Sequence, residues 1–241
     1  EVVWWQGADL PLPDGNFDPA YTAPLNTFKG SARLQFEWVD ARPTREPQLM
    51  VSTGSRKKPE LVDRRDVCEL DAAILNGLSG TGIQFWGESL APGQEFALDR
   101  LHLKKGPELV ILSIPPSPQV LLAAIAAVKP SRITFMSIPP FHDSPESLLK
   151  AMGRKIKETA NTEQRVLDLA ELAAKLNTTL DWANTALLWF AARGNLQLER
   201  MDANRFKIAL GGTEDLSRAA SLEGLLQKQW GEISAFRRYY L

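Results

Sequence analysis

The sequence predicts a multidomain α+β chain made of a partial OB-type β-barrel segment, a small parallel α/β domain, a winged helix-turn-helix and a C-terminal helix. Three observations support this fold class. Residues 33–39 alternate polar and apolar side chains with the period of a strand. Residues 109–138 contain an apolar run, a helical segment and a second apolar run, as a βαβ unit does. Residues 148–210 show apolar positions at helical spacing and then two short β-type runs, the order of a winged helix-turn-helix.

The first predicted domain, residues 1–58, is the C-terminal part of an OB-like β domain. Short strands joined by polar loops are typical of such small antiparallel barrels. Phe36 and Trp38 lie on the apolar face of the alternating strand, and strict alternation favours a core position over a base-stacking surface for both. The strands are too few to close a barrel, and Glu1 stands directly before an apolar run. We therefore expect the chain to be a piece of a longer protein.

The second predicted domain, residues 59–142, is a small α/β domain. Apolar runs at 109–114 and 133–138 each end at two prolines, and a helical segment at 118–129 lies between them. The two strands should therefore be parallel and buried on both faces. Two further elements are predicted, a strand at 82–86 and a helix at 66–76.

The third predicted domain, residues 143–213, is a helical linker followed by the winged helix-turn-helix. A helix-start signal at 143–146 and the helical spacing of apolar residues predict its helices. After this first helix, further helices are predicted at 161–169, 170–176 and 180–192, and hairpin strands at 196–200 and 205–210. Residues 214–241 are predicted to form the C-terminal helix.

Composition and charge limit the function classes. The 241 residues have a formal net charge of −1, with 44% hydrophobic and 24% charged residues, as in ordinary globular proteins. The whole chain has no polyanion-binding signature, so a nucleic-acid role must come from local patches. The single cysteine, Cys68, excludes an internal disulfide framework and fits a reducing compartment. The longest apolar run, 120–128, is too short to span a membrane, so we expect a soluble cytoplasmic protein with no membrane partner.

The sequence offers no catalytic residue and no metal ligand set. Metal-dependent hydrolysis of phosphodiesters needs several carboxylates or histidines around the metal, whereas His102 and His142 stand alone. Gly80 and Gly82 precede a strand instead of following one, which does not fit a dinucleotide-binding loop. A small-molecule enzyme of the α/β class stays an alternative, with a pocket beyond the proline pairs that end the two apolar runs.

Basic residues give the candidates for binding. Clusters of arginine and lysine attract phosphates, and they occur around the alternating strand and in the predicted hairpin. The candidate DNA-binding residues are Lys29, Arg33, Arg42, Arg45, Arg56, Lys57, Lys58, Arg200, Arg205 and Lys207. For the loop residues a second interpretation stays open, in which they are only solvated surface positions.

The third helix of the predicted winged module is a poor reader of DNA. A groove-reading helix carries basic side chains on its outward face. Residues 180–193 instead have an acid, Asp181, near the start and a single base, Arg193, at the end. The sequence therefore favours protein packing over DNA reading for this module. The aromatic and basic residues at 236–240 fit either a docking helix or a contact with an anionic partner.

Short motifs follow one another along the chain in a family-specific order. The N-terminal motifs are FDPAYT at 17–22, NTFKG at 26–30, LQF at 34–36 and DAR at 40–42. They resemble the last strands of the OB-fold in RecJ, the family of single-stranded-DNA-specific exonucleases. Further motifs at 47–50, 61–65, 109–117 and 129–133 resemble the passage into that family's extra C-terminal domain and its strand, Pro-Pro, helix, strand motif. The double tryptophan at 4–5 and residues 37–40 are similar to cyanobacterial members.

The resemblance implies a 5'-to-3' exonuclease that degrades single-stranded DNA in recombination and repair, with Mn or Mg as cofactor. The family's two catalytic domains would lie upstream, so this chain would be a non-catalytic region that binds single-stranded DNA and docks partners such as a single-stranded-DNA-binding protein. The family's OB-fold clamps the DNA strand, and Lys29, Arg33 and Arg42 occupy the corresponding positions. The alternative is a winged-helix protein-interaction module without appreciable affinity for DNA.

Overall fold

The computed structural model describes residues 2–3, 17–26, 33–34, 36–43, 58–70, 82–92 and 96–241. Over these residues the protein is a mixed α/β structure with five helices and both parallel and antiparallel sheets. The chain divides into two compact units, Glu1–Arg56 and Lys57–Leu241.

The N-terminal unit is made of short strands around one longer central strand. Its strands are β1 (Val2–Val3), β2 (Phe17–Thr22), β3 (Leu25–Asn26), β4 (Arg33–Leu34) and β5 (Phe36–Pro43). β5 lies between β1, to which it is parallel, and β2, to which it is antiparallel. β3 and β4 form a separate antiparallel pair. These described strands do not close into a barrel.

The second unit begins with a four-stranded parallel sheet. Its strands are β6 (Glu60–Asp63), β7 (Ile83–Trp86), β8 (Glu108–Ser113) and β9 (Arg132–Ile138), in the order β6-β9-β8-β7. Helix α1 (Pro118–Val128) connects β8 to β9, and Ser117 caps its start by accepting a hydrogen bond from the Val120 amide. Because the apolar runs of β8 and β9 are continuous, both faces of these strands are buried, Leu109 and Ile111 on one side and Val110 and Leu112 on the other.

The structure confirms the predicted strands at 82–86, 109–114 and 133–138 and the helix between the last two. β6 was not predicted as a strand, because its four residues gain their strand form from pairing with β9. The helix predicted at 66–76 is wrong over residues 66–70, which form turns and loop. The Ser137 amide of β9 donates to the Val67 carbonyl in this stretch. The segment therefore forms a backbone hydrogen bond with the sheet instead of the internal hydrogen bonds of a helix. Residues 71–76 lie outside the described part.

The remainder of the second unit is a helical layer with a small antiparallel sheet. Its elements are α2 (Pro145–Ala160), β10 (Val166–Asp168), α3 (Leu169–Lys175), α4 (Leu180–Ala192), β11 (Leu196–Arg200), β12 (Arg205–Leu210) and α5 (Leu216–Tyr240). The sheet order is β10-β12-β11. Side chains of Ser144, Asp168 and Thr179 cap the starts of α2, α3 and α4. The predicted hairpin and C-terminal helix are confirmed.

The helix predicted at 161–169 is wrong. Residues 161–165 form a turn in which Arg165 has a left-handed φ of 53°, and Val166–Asp168 is strand β10. Val166 pairs with Lys207, about forty positions along the chain, so the strand forms through a tertiary contact. Asp168 then accepts hydrogen bonds from the amides of Ala170 and Glu171 and starts the next helix there.

One apolar core holds the helical layer together. Trp182 and Leu187 of α4 are fully buried in it, and Leu226 and Ile233 of α5 belong to the same cluster. The long C-terminal helix therefore packs along α4. None of the helices in the described ranges is long and apolar enough to span a bilayer.

Candidate nucleic-acid interface and buried polar network

An aromatic surface lies on the N-terminal sheet. Tyr21 of β2 is 55% exposed, and its ring contacts Phe36 of β5 edge-on at a centroid distance of 5.2 Å. Trp38 is the register partner of Tyr21 across the two strands. Phe36 and Trp38 are half-buried, so the predicted core position is correct only in part. The sheet thus presents one largely exposed ring beside two partly accessible rings, a surface on which a base can stack.

The predicted basic residues of the N-terminal part are only partly described. Arg33 opens β4, and Arg42 lies in β5 opposite Asp18 of β2. Lys58 is exposed just before β6. The remaining candidates of this region, Lys29, Arg45, Arg56 and Lys57, lie outside the described residues. The structure therefore does not gather these residues into a single described site.

The predicted basic residues of the hairpin mainly hold its turn. Arg205 Nε donates to Asp202 Oδ2 at 2.6 Å, and Arg200 Nε donates to the Asp202 carbonyl at 2.9 Å. Hydrogen bonds from the Asn204 amide and from the side chain and amide of Arg205 lower the pKa of Asp202 to about 2. Lys207 is exposed, but its register partner on β11 is Glu199. Arg205 is thus paired with a carboxylate, Arg200 is bound to backbone carbonyls of the turn, and Lys207 lies opposite an acid, which makes these residues weak candidates for contacting phosphates.

Helix α4, the candidate groove-reading helix, is covered. Six of its thirteen residues are buried, and α5 packs against it along the shared core. Asp181 and Leu180 are exposed at its start, and neither is a cation. Since the major groove of DNA must receive an exposed face, α4 cannot enter it in this arrangement.

A buried polar network, which sequence reasoning missed, lies at the carboxyl end of the parallel sheet. Glu88 follows β7 and is 2% exposed. It accepts hydrogen bonds from Trp86 Nε1 at 3.0 Å and from the amide and guanidinium of Arg100, with Nε at 2.8 Å. Its own amide donates to Ser113 Oγ at 2.9 Å. A carboxylate satisfied in this way stabilises structure and is not free to act as a general base.

The network continues into the helical layer. Arg100 Nη1 donates to the Thr178 carbonyl at 3.1 Å, and Asn177 Nδ2 donates to the Ile114 carbonyl at 2.8 Å. Arg237 of α5 pairs with Asp143 and donates through Nη2 to the Asn177 carbonyl at 2.7 Å. Burial lowers the pKa of Arg237, while Asp143 opposes that shift. These contacts join the α/β sheet to the helices. No local sequence pattern reveals these contacts, because the partners are distant along the chain.

A cleft lies beside the proline pair that follows β8. It has a volume of about 940 Å³ and lies between the starts of α1 and α4 and the side of α5. Its charged side chains are Asp181, Lys228 and Glu232. In the parts of the chain that the structure describes, no three metal-binding side chains gather at one point. His102 contacts Asp99 at 2.7 Å, and burial lowers the pKa of His142, so each histidine has a local environment of its own.

Comparisons with known proteins do not add to this picture. No protein-family model, no curated protein and no solved structure matches the chain. The candidate interface therefore rests on the aromatic surface of the N-terminal sheet.

Proposed function

We propose that this chain is the non-catalytic C-terminal region of a RecJ-like 5'-to-3' exonuclease and that it binds single-stranded DNA. In this proposal the N-terminal strands are the closing part of an OB-fold. The catalytic domains, with their Mn or Mg, belong to a longer parent protein, as the motif order implies. DNA-repair proteins, such as a single-stranded-DNA-binding protein, are the proposed partners.

The observation that carries the proposal is the aromatic surface formed by the exposed Tyr21 and the half-buried Phe36 and Trp38. An aromatic ring that is 55% exposed on a sheet and braced by a second ring at 5.2 Å is suited to stacking on an unpaired base. Stacking of this kind tolerates any sequence, because every base has a π-face. A duplex conceals those faces, so the surface favours single strands.

The helical layer supports a second candidate function. We propose that residues 143–213 form a winged helix-turn-helix that packs on protein and does not read DNA. The covering of α4 by α5 and the pairing of the hairpin arginines support this role. In its extreme form the alternative is a protein-interaction module without appreciable DNA affinity.

The test is a titration of the chain into a fluorescein-labelled oligothymidylate of about 20 nucleotides, followed by fluorescence anisotropy at about 50 to 200 mM salt. We expect binding in the micromolar range that weakens as salt rises. Tyr21→Ala should weaken binding by about 5- to 150-fold, since one base–aromatic stack contributes about 1–3 kcal/mol.

Phe141→Ala is the matched control, because Phe141 is a 62% exposed aromatic residue of the second unit that belongs to neither proposed surface. It should leave the affinity unchanged. Equal effects of the two variants, or no binding by the unaltered chain at the lowest salt, would overturn the proposal and favour the interaction module. Digestion of the oligonucleotide by this chain with Mn would also contradict it.

A further inference from the structure

A row of cations lies at the amino end of the parallel sheet. Lys104 and Lys105 precede β8, Lys129 precedes β9 and Arg132 begins it, and Lys58 precedes β6. Because β6, β9 and β8 are adjacent and parallel, the starts of all three strands meet at one edge. We call these five residues the amino edge. They are separated along the sequence, so only the parallel topology brings them together.

Backbone hydrogen bonds fix the loops of the amino edge to one another. The Gly106 amide donates to the Val128 carbonyl at 3.1 Å, and the Ser131 amide donates to the Pro107 carbonyl at 2.8 Å. The Glu60 amide donates to the Ser131 carbonyl at 2.8 Å. The cations therefore stand on loops with a defined mutual position.

Two glycines bring the lysine loop close to the neighbouring strand. A Cβ at Gly106 would lie 2.6 Å from the Gly82 carbonyl oxygen, a distance that no side chain tolerates. Gly82 itself has a left-handed φ of 85°. The Lys104 amide also donates to Gln84 Oε1 at 3.0 Å. The backbone under Lys104 and Lys105 is thus held against the start of β7.

The lysines of the amino edge are exposed and unpaired. Lys58, Lys104, Lys105 and Lys129 have no ion-pair partner among the residues that the structure describes, whereas Arg132 contacts Glu60 at 3.1 Å. Among the described residues at these strand starts the acids are Glu60 and Glu108, and Glu108 accepts a hydrogen bond from Thr134 Oγ1 at 3.4 Å. The described part of the edge therefore has five cations against two acids, although the whole chain has a net charge of −1.

We propose that the amino edge binds the sugar–phosphate backbone of single-stranded nucleic acid. Neighbouring strands lie about 4.8 Å apart, so their starts present the cations as a row, which suits a linear chain of phosphates. Unpaired surface lysines release counterions when they contact phosphates, and this release drives non-specific binding. The site deepens the proposed function and rests on it, since it assigns a phosphate-binding surface to the second unit by itself.

The experiment compares two triple variants of the full chain in the same titration. K104Q/K105Q/K129Q removes three charges from the amino edge, and K150Q/K157Q/K228Q removes three exposed charges from helices α2 and α5. We expect the first to weaken binding about tenfold and to reduce the slope of log affinity against log salt by about 2, as loss of three phosphate contacts does. K150Q/K157Q/K228Q should change both the affinity and the salt slope much less.

Position-specific labelling gives a second measurement on the unaltered chain. Acetylation of lysines, read by mass spectrometry, should be slowed by oligothymidylate at Lys104, Lys105 and Lys129 but not at Lys150 or Lys157. Equal effects of the two triple variants with equal labelling would overturn this inference, and a loss of binding in Tyr21→Ala would then leave the proposed function standing. A chain that ignores oligothymidylate but binds phosphatidylserine vesicles through these lysines would overturn both.

Discussion

The charged side chains at the two ends of the parallel sheet differ in burial and in pairing. At the carboxyl end, Glu88 is buried and is paired with the half-buried Arg100 through several hydrogen bonds. At the amino end, Lys104 and Lys129 are exposed and make no ion pair within the described part of the chain. Both ends belong to the same strands. A buried charge has to be paired because its desolvation is costly, whereas an exposed charge can stay unpaired and available.

The two ends of the sheet therefore have different roles. The carboxyl end of an open α/β sheet is where such folds usually bind ligands. Here that position is crossed by contacts that join the sheet to the helical layer, from Arg100 to Thr178 and from Asn177 to Ile114. The carboxyl end thus joins the sheet to the helical layer and keeps a cleft beside the proline pair, whereas the exposed lysines lie at the amino end.

The largest effect is expected from Arg100→Ala. It leaves Glu88 buried without its partner, which should lower the free energy of unfolding by about 3–5 kcal/mol. Urea denaturation measures it. The matched control is Arg132→Ala, which removes the exposed arginine of an Arg–Glu pair at the amino end. A much smaller loss is expected there, and equal losses would show that the two ends do not differ.

A smaller effect is expected from Tyr240→Phe. The Tyr240 hydroxyl donates to the Met136 carbonyl at 3.0 Å, and burial raises its pKa. Without the Tyr240 hydroxyl, the buried Met136 carbonyl loses this hydrogen bond, which should lower the free energy of unfolding by about 1–2 kcal/mol. Tyr239→Phe is the control, because Tyr239 is 84% exposed. Thermal denaturation of both variants should separate them, and an unchanged midpoint for Tyr240→Phe would contradict this contact.

A pH-dependent effect is expected at Asp63, an exposed carboxylate at the end of β6. The hydrogen bond from the Arg65 side chain lowers its pKa from 3.8 to about 2. Because the folded value lies below the unfolded one, its contribution to stability is complete above about pH 4 and is lost as the pH falls toward 2. Asp63→Asn should therefore lower the melting temperature slightly at pH 7 and by less near pH 2.5. A constant difference across this range would contradict the assignment.

The smallest effect on stability is expected at the amino edge. K104Q/K105Q/K129Q should change the free energy of unfolding by less than about 0.5 kcal/mol, because exposed side chains without partners contribute little. Urea denaturation beside the DNA titration tests this. A loss of stability near that of Arg100→Ala would mean that these lysines support the fold, and their effect on DNA binding would then need another explanation.

Much of the fold could be predicted from local sequence. The apolar runs of β8 and β9 and the long α5 are specified by neighbouring residues, and all three were predicted. β6 and β10 were missed because short strands form only through partners elsewhere in the chain. The candidate site was predicted less well. Phe36 and Trp38 were assigned to the core, which is correct only in part, and Tyr21 emerged only when β2 paired with β5.

Arg100 and Lys104 show which property of a side chain cannot be predicted from the sequence alone, namely whether it is paired and buried or exposed. Both are basic residues of the same loop before β8, four positions apart, and no local pattern separates them. The sequence determined that this loop is charged and that a buried parallel strand follows it. Only the tertiary structure decided that Arg100 pairs with the buried Glu88 and is half-buried while Lys104 is exposed, because burial and pairing depend on which distant segments pack against each residue.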